Sequence, residues 1–190
     1  MDHQNYFSDV TNAYLCQYYE ILDEMVHKMT GVEPQSSISG NFICQMIPHH
    51  EAAVEMSRNI LQYTTLIPLQ NIAESIITEQ TQSISRMQAA LPTCETIANT
   101  RQELYLYQKN YQSITHTMFY QMQNAKESND INADFLREMI PHHEGAIRMA
   151  ENTLRFRICP QLVPILQAII RSQTSGVRQM QRLLSQLTRR

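Results

Sequence analysis

The chain has 190 residues, a net charge of −3, four Gly and no Trp, which describes a helical protein long enough to bury a sizeable core as one large domain or two small ones. A near-neutral balance with only a short Arg189-Arg190 end argues against a nucleic-acid partner, and no apolar run approaches the roughly 18 residues needed to cross a membrane. The start Met1-Asp2-His3-Gln4-Asn5 lacks the features of a signal peptide, so the chain as given is expected to be soluble, and cytoplasmic unless a leader was removed.

Apolar spacing predicts six helices. The first covers residues 5–30, with Tyr14, Tyr18, Leu22, Met25 and Met29 on one face. A loop with Gly31 and Pro34 follows, and Ser39 is the expected N-cap of a second helix over 40–63. Its stripe is Phe42, Met46, His49, Ala53, Met56 and Ile60, so His49 and His50 fall within the apolar face. Pro48 sits inside this helix, removes a backbone donor and is expected to kink it one turn before the histidines. A third helix over 68–90 turns Ile76, Gln80, Ile84 and Met87 inward, and Pro92 closes the set. The second half repeats the plan with helices over 98–125, 133–156 and 161–187, Asn132 taking the place of Ser39 as the cap.

The two halves are a duplication, internal repeat 1 over 5–92 and internal repeat 2 over 98–187, expected to form a single bundle over 1–190. An offset of 93 residues aligns 42–91 with 135–184 without a gap and with 20 of 50 positions identical. Met46-Ile47-Pro48-His49-His50-Glu51 returns as Met139-Ile140-Pro141-His142-His143-Glu144. Every methionine after the initiator has a methionine counterpart: Met25 and Met118, Met29 and Met122, Met46 and Met139, Met56 and Met149, Met87 and Met180. Cores exchange Met for Leu at a cost below about 1.5 kcal/mol, so full retention amid such divergence suggests that sulfur is wanted. The cysteines match nothing across the offset and include no C-x-x-C pair; they are expected to be free thiols. Residues 1–93 carry 3 basic and 10 acidic side chains and residues 94–190 carry 12 and 8, so the halves should attract each other.

Thioethers and imidazoles around an enclosed pocket form an uncharged, soft-to-borderline ligand set that suits Cu(I), or Ag(I) as its mimic, better than Mg, Ca or Mn. The candidate metal ligands are Met46, His49, His50 and Met56 with Met139, His142, His143 and Met149. Met25, Met29, Met118 and Met122 would approach from the first helix of each half, and Met87 and Met180 from the third. A methionine stripe alone is more often core than ligand; the duplicated Met and His together carry the reading. Position on the stripe favours His49 and His142 as inner ligands. Gln80 and Gln173 are buried amides that either orient a ring N–H or bond between helices. Glu51 and Glu144 are half-exposed charges or acceptors from a ring. The tyrosines 14, 18, 107 and 111 are packing residues with a polar tip, and His3, His27 and His116 are surface groups. Two alternatives stand: a di-metal carboxylate oxidase, for which Glu24 to His27 is the one Glu-x-x-His, and a bundle that binds a partner without metal. No activated nucleophile or matched acid–base pair points to an enzyme, and homo-oligomerisation is left open.

The motif Phe-x-x-x-Met-Ile-Pro-His-His-Glu-x-Ala-x-x-Met, at Phe42 to Met56 and Phe135 to Met149, resembles the signature of the ferritin-like family called domain of unknown function 305, and the likeness extends through the spacings Gln80 to Met87 and Gln173 to Met180. The resemblance implies an all-α, ferritin-like antiparallel helical bundle built here from two tandem three-helix repeats. Because the family includes a copper-resistance protein, it also implies copper binding for buffering or tolerance. Many members are exported, so a role outside the cell does not transfer if this chain stays inside.

Overall fold

The computed structural model describes residues 7–189; the expected start of the first helix and His3 lie outside them. Six α-helices and no strand are present among the described residues: α1 (Asp9–Thr30), α2 (Ile38–Leu61), α3 (Ile67–Cys94), α4 (Arg101–Gln123), α5 (Ile131–Thr153) and α6 (Leu162–Leu187). The protein is an all-α bundle.

Helix ends follow local chemistry, with instructive shifts. Ser8 accepts from the Thr11 N–H, Ser37 from the Gly40 N–H and Asp130 from the Asn132 and Ala133 N–H groups, while Thr100 and Glu103 form a capping box. The expected caps Ser39 and Asn132 are therefore two residues past the true caps, in the first turns of their helices. They clamp the halves together instead: Ser39 Oγ accepts from the Cys159 N–H at 2.9 Å, and Asn132 Oδ1 from the Thr64 hydroxyl at 2.6 Å. Pro92 does not end α3, which runs on to Cys94. In the last turn its missing donor strands only the carbonyl of Gln88, an exposed residue that water can serve. Pro48 and Pro141 likewise lie within continuous α2 and α5.

Helix α2 packs on α3, α1 and α5; α5 packs on α6, α4 and α2; α3 packs on α6. Helices α2, α3, α6 and α5 close a ring, but they are not equivalent. Buried residues number 18 of 24 in α2 and 16 of 23 in α5, against 7 of 28 in α3 and 7 of 26 in α6. Helices α2 and α5 are thus the interior pair, and the other four are its cover.

Buried side-chain hydrogen bonds, within and between the halves, come in pairs related by the 93-residue offset. Asn59 Nδ2 donates to the Tyr14 carbonyl and Asn152 Nδ2 to the Tyr107 carbonyl, which fixes α1 on α2 and α4 on α5. The tyrosine hydroxyls then cross over. Tyr14 donates to Glu138 and Tyr107 to Gln45 at 2.7 Å, while Tyr18 and Tyr111 donate to the carbonyls of Met122 and Met29 at 3.1 and 3.3 Å. The expected attraction between oppositely charged halves takes no part at this level, because each ion pair among the described residues joins groups of one half. Buried hydroxyl bonds hold the halves, and surface charge does not.

Replacing Tyr107 by Phe leaves the buried Gln45 carbonyl without its donor. The expected loss is about 1–3 kcal/mol, seen as a lower urea midpoint at unchanged slope.

Candidate functional site

The interior pair meets at its histidines. Ala53 and Ala146, both fully buried, sit one turn beyond and leave room for α2 and α5 to approach. The rings of His49 and His142 stack with centroids 3.7 Å apart and planes 30° apart. His142 Nε2 lies 3.2 Å from the carbonyl of His49. A carbonyl only accepts, so His142 carries its proton on Nε2 and leaves a bare lone pair on Nδ1. Stacking turns the faces of these rings towards each other, while their lone pairs point out along the ring planes.

Adjacent residues on a helix are rotated by about 100°, and His50 and His143 accordingly face the α3–α6 side. His50 Nε2 lies 3.1 Å from Ser83 Oγ and borders a cavity of 110 Å³ that Gln80, Ser172 and Gln173 also line. His143 borders a cavity of 60 Å³ with Ile76, Glu79 and Gly176. Glu79 lines both. Gly176 replaces the serine of the first half, and a Cβ there would stand 3.1 Å from His143 Cδ2.

All four histidines are almost wholly buried, between 0% and 3% exposed. Removal from water disfavours the imidazolium, so His49 and His142 fall well below the usual histidine range, His50 to about 3 and His143 to about 4. Neighbouring histidines add repulsion at His49, His50 and His142. Both nitrogens of His49 and the Nδ1 atoms of His50, His142 and His143 are buried without a hydrogen-bond partner, as are the Oε1 atoms of Gln80 and Gln173. Burying such groups unpaired costs on the order of 1–3 kcal/mol each, and the cluster repeats across both halves.

The ten matched methionines are all buried, at 2% exposure or less. Met46, Met56, Met139 and Met149 share α2 and α5 with the histidines, and Met87 and Met180 come from α3 and α6. Met118 lies on Gly145, two residues past His143, where a Cβ would meet its sulfur at 2.1 Å. Met25 borders an open groove with Pro48, Glu51 and Ala52, the offset partner of Gly145. Met29 and Met122 lie further along α1 and α4, where their carbonyls receive the tyrosine hydroxyls.

Glu144 pairs with Arg148 at 3.0 Å, and Glu51 stands half exposed, 3.9 Å from Lys28. His27 and His116 are exposed, Glu24 is engaged by Lys28 at 2.8 Å on the outer face of α1, and all four cysteines are free. Among the described residues no three His, Cys, Asp or Glu side chains are grouped to hold a metal ion.

Glu138 escaped the sequence reading. It is 3% exposed, bonded to Tyr14, and pushed up to about 8, chiefly by burial, with the Tyr14 hydroxyl pulling the other way. Its offset partner is Gln45, which meets Tyr107. Exchange of Glu for its neutral isostere beside a conserved methionine was the signal available.

The class of protein is thus an all-α bundle whose interior carries duplicated, neutral His pairs among methionines. The family profile described as Domain of unknown function (DUF305) matches residues 23–91 and 39–184, the second span being well over half of the chain, and the protein belongs to that family. The crystal structure of a DUF305 fragment from Deinococcus radiodurans is similar in fold: it is 19% identical with a TM-score of 0.58, covering 81% of this chain and 99% of that one. No curated protein matches the chain. Among the described residues no helix is long and apolar enough to cross a membrane.

The buried groups set opposite pH slopes. Each histidine has a native pKa below its unfolded value near 6.5, so the unfolded chain binds more protons as pH falls and stability drops from about pH 6.5 towards 4 and 3. Glu138 has a native value above its unfolded one, so its contribution is lost as pH rises from about 4.5 to 8. Glu138→Gln should flatten the alkaline limb and raise stability at pH 9 by on the order of 1–3 kcal/mol, leaving the acid limb intact, as read by urea midpoints across pH.

Proposed function

We propose that this protein binds a soft metal ion without catalysis, Cu(I) first and Ag(I) as its mimic, for buffering or tolerance. The observation that carries the reading is the set of buried, neutral imidazoles with ring nitrogens left without hydrogen-bond partners, in an interior that keeps ten methionine sulfurs. A nitrogen lone pair held deprotonated and dry is a ligand in waiting. Among the described residues Glu79 is the one carboxylate lining the cavities beside His50 and His143, and no three His, Cys, Asp or Glu side chains group there; the thioethers that share α2 and α5 with the rings make a donor set that favours Cu(I) over hard cations. The ligands would be drawn from Met46, His49, His50 and Met56 with Met139, His142, His143 and Met149, supported by Met25, Met29, Met118, Met122, Met87 and Met180.

The cavities bear on which histidine meets the ion. His50 and His143 border openings between α3 and α6, while His49 and His142 are sealed behind them. An arriving ion would meet His50 or His143 first, and His49 or His142 would complete the pocket from inside. The di-metal carboxylate alternative loses support, since its one Glu-x-x-His lies on an exposed face.

The test is a titration of reduced, metal-free protein, its four cysteines replaced by Ser, with Cu(I) against a competing chelator. One or two ions should bind tightly. Affinity should fall at least about 100-fold when His49, His50, His142 and His143 become Ala, and by less when Met46 and Met139 become Leu. Absence of binding by the Cys-free protein would return the methionines to the core and favour a partner-binding bundle.

A further inference from the structure

The cysteines depart from the duplication, and two of them meet. Cys94 and Cys159 stand where the offset partners are Leu187 and Leu66, both packed against the core. The start of α2 gathers the two segments that carry them. Ser37 Oγ donates to the Cys94 carbonyl at 2.8 Å, and two residues on, Ser39 Oγ accepts from the Cys159 N–H at 2.9 Å. Asn99 ties the same knot, accepting from the Ile38 N–H at 3.0 Å and donating to the Arg157 carbonyl at 2.9 Å. Glu95, next to Cys94, packs so closely on Gly40 that a Cβ there would stand 3.3 Å from Glu95 Cβ. Within this knot both thiols are buried, at 0% and 1% exposure, and the Cys159 sulfur is near enough to perturb the Cys94 thiol. Cys16 is exposed and Cys44 partly so.

We propose that Cys94 and Cys159 are an oxidisable dithiol that closes to an intramolecular disulfide at the expense of a low-molecular-weight disulfide such as oxidised glutathione. Local opening of the 95–100 and 154–161 segments exposes one sulfur. Its thiolate attacks the oxidised glutathione, forming a mixed disulfide and expelling one glutathione thiolate. The second protein thiolate attacks the protein sulfur of that mixed disulfide and expels the other. Two thiol protons pass to two glutathiones, so the protein dithiol is oxidised and one glutathione disulfide is reduced. Burial, and then the neighbouring sulfur, push the Cys94 thiol up to about 12, which keeps the closed fold unreactive and makes opening the gate. Once formed, the bond joins the end of α3 to the segment before α6 and so links the two halves covalently. By restricting the unfolded chain across 65 residues, it should raise the melting temperature by about 5–10 °C. This inference does not rest on metal binding.

The experiment incubates the full, metal-free chain in reduced and oxidised glutathione at graded ratios, then traps free thiols by alkylation in denaturant for intact mass and peptide mapping. The expected product has lost two hydrogens, links the Cys94 and Cys159 peptides, melts higher, and carries glutathione at Cys16 under the most oxidising conditions. Cys94→Ser and Cys159→Ser should each abolish the cross-link. Recovery of both residues fully alkylated under conditions that modify Cys16, or their capture only as glutathione adducts, would overturn the proposal. Mapping of the unsubstituted protein decides between these outcomes even where a serine variant fails to fold.

Discussion

The contact on which this molecule depends is the approach of α2 and α5 at His49 and His142. Two fully buried imidazole rings 3.7 Å apart can coexist only as neutral groups, because a charge on either would be desolvated and repelled by its neighbours. Everything around the pair maintains that condition. Ala53 and Ala146 let the backbones close, α3 and α6 cover one side, and α1 and α4 cover the flanks. A cluster of unpaired polar atoms at the centre of a bundle is a poor way to stabilise it. The other four helices therefore offset a local cost at the interior pair.

That cost is met by bonds that cross between the halves. The tyrosine hydroxyls of α1 and α4 reach over to α5 and α2, and Ser39 and Asn132 hold the opposite loops. Each of these groups is polar, mostly buried and satisfied only when both halves are in place, so neither half retains its full hydrogen bonding alone. Surface ion pairs stay within a half and are exposed enough to contribute little.

What the sequence made legible was whatever helical periodicity and the offset encode. Six helices, the burial of the His pairs, the methionines facing inward and the polar tips of Tyr14, Tyr18, Tyr107 and Tyr111 all follow from spacing along one helix. What stayed hidden depends on segments far apart in the chain. Ser39 and Asn132 have good capping chemistry, yet Ser37 and Asp130 cap two residues earlier, and the first turns of α2 and α5 spend Ser39 and Asn132 on bonds to the other half. Pro92 reads as a stop, but a proline in an exposed last turn leaves only one solvated carbonyl without its partner. Glu138 draws no notice along its own helix, and its burial shows only when Tyr14 reaches it from 124 positions away. Cys94 and Cys159 share no spacing motif, and only the knot around Ile38 joins them.

The differences between the halves sharpen the meaning of what they share. At equivalent positions Gln45 faces Glu138, Ser83 faces Gly176, Ala52 faces Gly145, and Leu66 and Leu187 face the two buried cysteines. Each swap is compatible with the packing around it: Glu138, pushed up in pKa by burial, resembles the neutral Gln45, Gly176 lets the His143 ring come close where Ser83 instead bonds His50, and Gly145 admits Met118. The interior thus tolerates changes in size, polarity and even latent charge. Against that tolerance, a pure packing role predicts that at least some of five methionine pairs and two histidine pairs would have drifted to leucine, asparagine or glutamine, which fill similar space. None has. A shared requirement for the electronic properties of sulfur and imidazole, rather than for their volume, accounts for that pattern.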